Sequence, residues 1–174
     1  MIFKKFFKNP ISKARAQRRA ILTDITQGGQ DLDGRDLVEL LRGIVGGKDD
    51  VYIARADRDY RTVDESVLHA FLRGDGTDAY RWTPEGGDCD DFAAILLGRI
   101  REAQMLASSD RAMAVGEVWA LSFWLEEPGK PPKQTDPHAM VFAVLNDRRV
   151  VLIEPQDDKI YPLTSKSSVY FISV

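Results

Sequence analysis

Apolar residues are spaced as helices in the first part of the chain and as strands in the second. Leu37, Leu40, Leu41, Ile44 and Val45 recur at intervals of three and four, and Gly46-Gly47 follows, which predicts an amphipathic helix with a glycine stop. Thr62 with Glu65 three residues on is a capping-box signature for a second short helix, whose apolar face is Val67, Leu68 and Phe71. Phe92, Ala93, Leu96, Leu97 and Ile100 mark the strongest helix, from about Asp90 to Met105, with a stripe wide enough to sit in the core. Residues 117–125, 138–145, 149–154 and 168–173 are rich in Val, Phe, Ile and Trp and read as strands. Helices first and strands later imply an α+β domain rather than alternating βαβ units.

Between these elements lie weaker signals. Residues 24–34, with Gly28, Gly29 and Gly34, read as a linker, residues 51–54 as a short extended piece, and residues 74–88 as a loop. The segment before them is set apart by charge. It carries seven basic residues, from Lys4 to Arg19, among Phe3, Phe6 and Phe7, and no acid before Asp24. Residues 1–30 are therefore a basic N-terminal arm or helix. It either docks its aromatics and shows its charges to water, or binds an acidic partner, a membrane face or nucleic acid.

Composition narrows the function classes. With 174 residues, residues 31–174 make one domain large enough to fold without disulfides or a structural metal. A net charge of -3 argues against a nucleic-acid binder as a whole. The single cysteine, Cys89, excludes an intramolecular disulfide and a paired-cysteine zinc site. No apolar run reaches the length of a membrane span, and MIFKKFFKNP lacks the apolar stretch of a secretory signal, which implies cytoplasmic synthesis.

Cys89 is either a small buried hydrophobe or a reactive thiol. It falls where the glycine-rich loop meets the start of the strongest helix, where unpaired amides and the helix dipole favour a thiolate. Asp88, Asp90 and Asp91 oppose this. Asp88 suits the helix N-cap, but three carboxylates around one sulfur call for a cation, and calcium takes such oxygens. His138 opens an apolar strand. If Leu145 pairs with Arg149 across a turn of Asn146, Asp147 and Arg148, then Glu154 and Gln156 share the face of His138, where a residue that fixes the imidazole belongs. His69 lies on the second helix without neighbours at ligand spacing and reads as a surface or boundary residue.

The segments GDCDDF, HA and IEPQ, in this order, resemble papain-like and transglutaminase-like cysteine enzymes. They are closest to the calcium-dependent papain-like protease domain of the Marasmius oreades agglutinin type. The resemblance covers roughly residues 80–160 and omits a sugar-binding β-trefoil, so it does not imply carbohydrate binding. It implies a papain-like α+β fold, with the central helix carrying the cysteine packed on an antiparallel β-sheet and an N-terminal helical segment. It further implies a calcium-dependent cysteine peptidase acting on a peptide or protein substrate, with Cys89 as nucleophile, His138 as base and Glu154 orienting it. Trp82 and Gln156 would border the site, and Asp90 and Asp91 would bind the metal. The alternatives are a non-catalytic papain-like interaction or assembly domain and a transglutaminase-like acyl transferase.

Overall fold

The computed structural model describes Thr26, residues 28–46 and residues 51–174. The basic arm lies almost wholly outside these residues, and so does the N-terminal helical segment expected in it.

A six-stranded sheet organises the domain. Its strands are β2 (Tyr52–Ala54), β5 (Val115–Ala120), β8 (His138–Val144), β9 (Val150–Glu154), β10 (Lys159–Pro162) and β11 (Val169–Ser173), in the order β10-β9-β8-β5-β11-β2. Every neighbouring pair is antiparallel except β11 with β2, which is parallel. The sheet is therefore mixed, not antiparallel throughout as expected. Lone β2 comes from early in the chain and reaches the sheet only by running alongside β11.

Strand alternation splits the core in two. Met140, Phe142 and Val144 of β8 pack on one side with Leu37, Leu41, Tyr60 and Phe123. Ala139, Val141 and Ala143 pack on the other with Leu68, Phe71, Leu96 and Ile100. Both sets are almost fully covered, so β8 is apolar at nearly every position, as a strand buried on two faces must be. Gly116 on β5 is needed for spacing: a Cβ there would stand 1.9 Å from the Ser173 carbonyl oxygen on β11.

Three α-helices are present among the described residues: α1 (Gly34–Ile44), α2 (Glu65–Asp75) and α3 (Cys89–Leu106). The first fits its predicted periodicity, with Leu37 and Leu41 buried and Asp33 accepting from the Arg35 amide at its start. The linker read before it is corrected. Asp31–Asp33 form β1, which pairs with β3 (Asp59–Arg61), and β4 (Ala112–Met113) completes a small second sheet. The capping box is corrected as well. Asp64 caps α2 by accepting from the Ser66 and Val67 amides, while Thr62 is buried and its hydroxyl bonds Asn146 Oδ1 at 2.7 Å. Glu65 instead pairs with Arg149. Gly76, at φ 75°, ends α2 in the left-handed conformation that glycine tolerates. The short strands β6 (Trp124–Leu125) and β7 (Lys133–Gln134) form a separate ribbon. Among the described residues no helix is long and apolar enough to cross a membrane.

Candidate functional site

The β8–β9 hairpin sets the geometry. Val144 faces Val150 and Val141 faces Ile153, and the Leu145 amide donates to the Arg149 carbonyl at 2.9 Å. The turn is therefore Asn146, Asp147 and Arg148, with Arg148 at φ 67°, the register that puts Glu154 on the face of His138. The two side chains meet, with Nε2 of His138 2.7 Å from Oε2 of Glu154. An ionised carboxylate only accepts, so this contact places the ring proton on Nε2 and leaves Nδ1 turned from the carboxylate. Phe123 stands edge-on to the imidazole at 6.3 Å between centroids and helps fix its plane. Glu154 Oε1 also accepts from the Gln156 amide at 3.3 Å.

This pair forms one wall of a cleft of about 790 Å³, with Leu125, Gln134, Gln156 and Tyr161 among the other lining residues. Gln156 thus borders the site. Trp82 does not line the cleft and stands in the loop before α3, 51% exposed.

Cys89 is the first residue of α3, and its helix-start amide favours the thiolate. Burial nevertheless pushes the thiol above its ordinary range; the Ala139 N–H works against this, and Asp88 and Asp90 add to it. The sulfur lies against the Ala139 N–H, one residue along β8 from His138. Cys89 packs against the cluster that includes Ala139, and the His138 ring stands against Phe123. Among the described residues no hydrogen bond joins the thiol to the imidazole.

Asp88 occupies the N-cap position of α3 without making a side-chain capping bond. Its carboxyl is held above the usual carboxylate range by a hydrogen bond with Asp90 and by the nearby charges of Asp90, Asp91 and Glu85. Oxygens of Asp88, Asp90 and Asp91 all lie within 4.8 Å of one another. The sequence reading assigned Asp88 to the cap and only the other two to a metal. Three clustered oxygens open to solvent suit a hard cation better than zinc. His69 is exposed on α2 and distant in sequence from these groups. Phe123 and the Ala139 amide escaped the sequence reading. Neither has a signal before the strands are paired, although alternation along β8 does give the face of residue 139.

No family model and no curated protein matches the chain. Similar solved structures include the following two. One, described as a PSL1a-E64 complex, has a TM-score of 0.67 and 18% identity over 83% of this chain and 50% of its own. The other is a Polyporus squamosus lectin bound to the human-type influenza-binding epitope Neu5Aca2-6Galb1-4GlcNAc. Its TM-score is 0.63, with 17% identity over 83% of this chain and 49% of its own. The chain spans about half the length of each, and the likeness is one of fold. It corrects the expectations drawn from the resemblance, because the second neighbour is described as a lectin. The papain-like fold class, the calcium-dependent cysteine peptidase or hydrolase, the papain-like interaction domain and the transglutaminase-like acyl transferase are all given up. What the comparisons support for this chain is a fold shared with half of these two structures.

Proposed function

We propose that the chain is a ligand-binding domain whose site joins the His138–Glu154 pair in the cleft to the Cys89 thiol beside it, and that its ligand is a peptide segment. One observation carries this reading. Two ionisable side chains, each about five-sixths covered, are held 2.7 Å apart at the wall of a cleft large enough for a ligand. A fold gains little stability from such a pair, because desolvation offsets the attraction, so its placement is better explained by a ligand. The cleft also presents Gln134, Gln156 and Tyr161, groups that hydrogen-bond an amide backbone. Calcium belongs to the same reading, held by Asp88, Asp90 and Asp91, where its charge would offset the field that opposes a Cys89 thiolate.

The glycan in the second similar structure supports a different ligand class, a saccharide in the same cleft. Calorimetric titration with E64 and with that trisaccharide, on the parent and on Glu154→Ala, separates the two. Binding of E64 that is lost in Glu154→Ala is expected. Binding of the trisaccharide alone supports the glycan reading, and binding of neither removes the cleft as a site. Calcium is tested by iodoacetamide alkylation of Cys89, which should quicken with the ion and slow again with EGTA. Equal rates with and without calcium would take the ion out of the proposal.

A further inference from the structure

The sheet face that carries Cys89 is only partly covered by α3. Beyond the helix, one row of side chains crosses four strands. Ala139 on β8 faces Trp119 on β5, Trp119 faces Phe171 on β11, and Phe171 faces Tyr52 on β2. The row starts at the amide that touches the thiol and ends at the sheet edge, three interstrand steps or about 14 Å away. Its members are aromatic from the second onward. Trp119 meets Phe171 edge to face at 6.2 Å, and Phe171 stacks on Tyr52 at 5.9 Å with 9° between planes. Tyr52 is 66% exposed, and Trp119 Nε1 is buried with no acceptor among the described residues.

We propose that this row is the second half of the binding site, and that it receives an extended peptide carrying aromatic and basic side chains. The inference rests on the preceding reading of the Cys89 site and supplies its ligand class. The rings stand 5.9–6.2 Å apart across the strands, close to the about 6.7 Å between same-face side chains of an extended chain laid across them. Charge sets the rest. On β5, β11 and β2 this face presents Val115, Glu117, Trp119, Phe171, Ser173, Tyr52 and Ala54, and Glu117 is its one carboxylate. Asp88, Asp90 and Asp91 stand at the thiol end. Glu117 on the face, with the net negative charge that Asp88, Asp90 and Asp91 keep even with one dication bound, favours a lysine- or arginine-bearing ligand and disfavours a sialylated glycan, which is itself an anion.

The test uses the full chain with fluorescein-labelled Lys-Phe-Lys-Phe and Glu-Phe-Glu-Phe peptides, read by fluorescence anisotropy. The basic peptide should bind at least about tenfold more tightly than the acidic one. Tyr52→Ala should weaken it about tenfold and Tyr52→Phe, which keeps the ring, should hold it near the parent value. A thermal melt of each variant reports folding, and the exposed position of Tyr52 makes both variants foldable. Equal binding of the two peptides, no binding of either, or parent affinity in Tyr52→Ala overturns the proposal. Tighter binding of the sialylated trisaccharide than of the basic peptide does so too. Protection of Cys89 from iodoacetamide by the basic peptide, measured separately, tells the two readings apart. Ring-dependent binding without protection keeps the aromatic row and discards its link to the thiol.

Discussion

Replacing Asp158 with asparagine should stabilise the protein at neutral pH. Asp158 sits in the turn between β9 and β10 at φ 58°, and its Oδ1 is buried with no hydrogen-bond partner. Burial, and then the charges of Asp78, Asp75 and Asp157, push its pKa up to about 6 from an ordinary 3.8. The folded protein thus holds this proton more tightly than the unfolded chain does. The associated stability is complete below about pH 4 and is lost as pH rises towards 6, above which the loss levels off. In full the shift is worth about 3 kcal/mol. Asp158 is only partly buried, and screening by solvent reduces that to about 1–2 kcal/mol. Asparagine keeps the shape, carries no charge and tolerates the left-handed backbone. Urea unfolding between pH 4 and pH 8 is the assay. The parent should lose stability across pH 4–6, and Asp158→Asn should be flatter and about 1–2 kcal/mol more stable at pH 7.5. Parallel pH curves for the two proteins, or a variant no more stable at pH 7.5, would refute the reasoning.

Two further substitutions probe the frame. Gly116→Ala drives a methyl into the Ser173 carbonyl and should separate β5 from β11, costing about 3 kcal/mol in chemical denaturation; a cost below about 1 kcal/mol would show that β11 can yield. Arg99→Met leaves Asp75, whose side chain is 1% exposed, without its 3.2 Å ion pair, and should cost about 3 kcal/mol at pH 7 with partial recovery in the double variant with Asp75→Asn. No recovery would mean that Arg99 acts through packing alone.

The parts of this structure legible in the sequence are those governed by local period. α1 and α3 follow from their apolar stripes. The β8–β9 register follows from a turn bounded by Leu145 and Arg149, and with it the meeting of His138 and Glu154. The cap of α2 was misread because Thr62 and Glu65 satisfy a four-residue motif, while Asp64 binds the amides and Thr62 is drawn inward by Asn146. Asp31–Asp33 is too short for its single Asp-Leu-Asp alternation to mark a strand, and owes its strand character to Asp59–Arg61, a partner no local pattern announces. The contact of the sulfur with the Ala139 amide was likewise hidden. It depends on where the loop before α3 delivers the helix, and residues 74–88 do not encode that direction in any period.

The parallel pairing of β2 with β11 has a consequence for biosynthesis. Tyr52–Ala54 gain their sheet partner about 120 residues later in the chain, at Phe171–Ser173. At translation rates of about 5–20 residues per second, that interval lasts about 6–24 s. Throughout it, the segment that presents Tyr52 and Ile53 has no strand to join, and β5 waits with one edge open for the same late arrival. A nascent chain of this protein therefore exposes an unpaired strand edge for seconds, the state in which holding chaperones find their clients and neighbouring chains on a polysome can cross-pair.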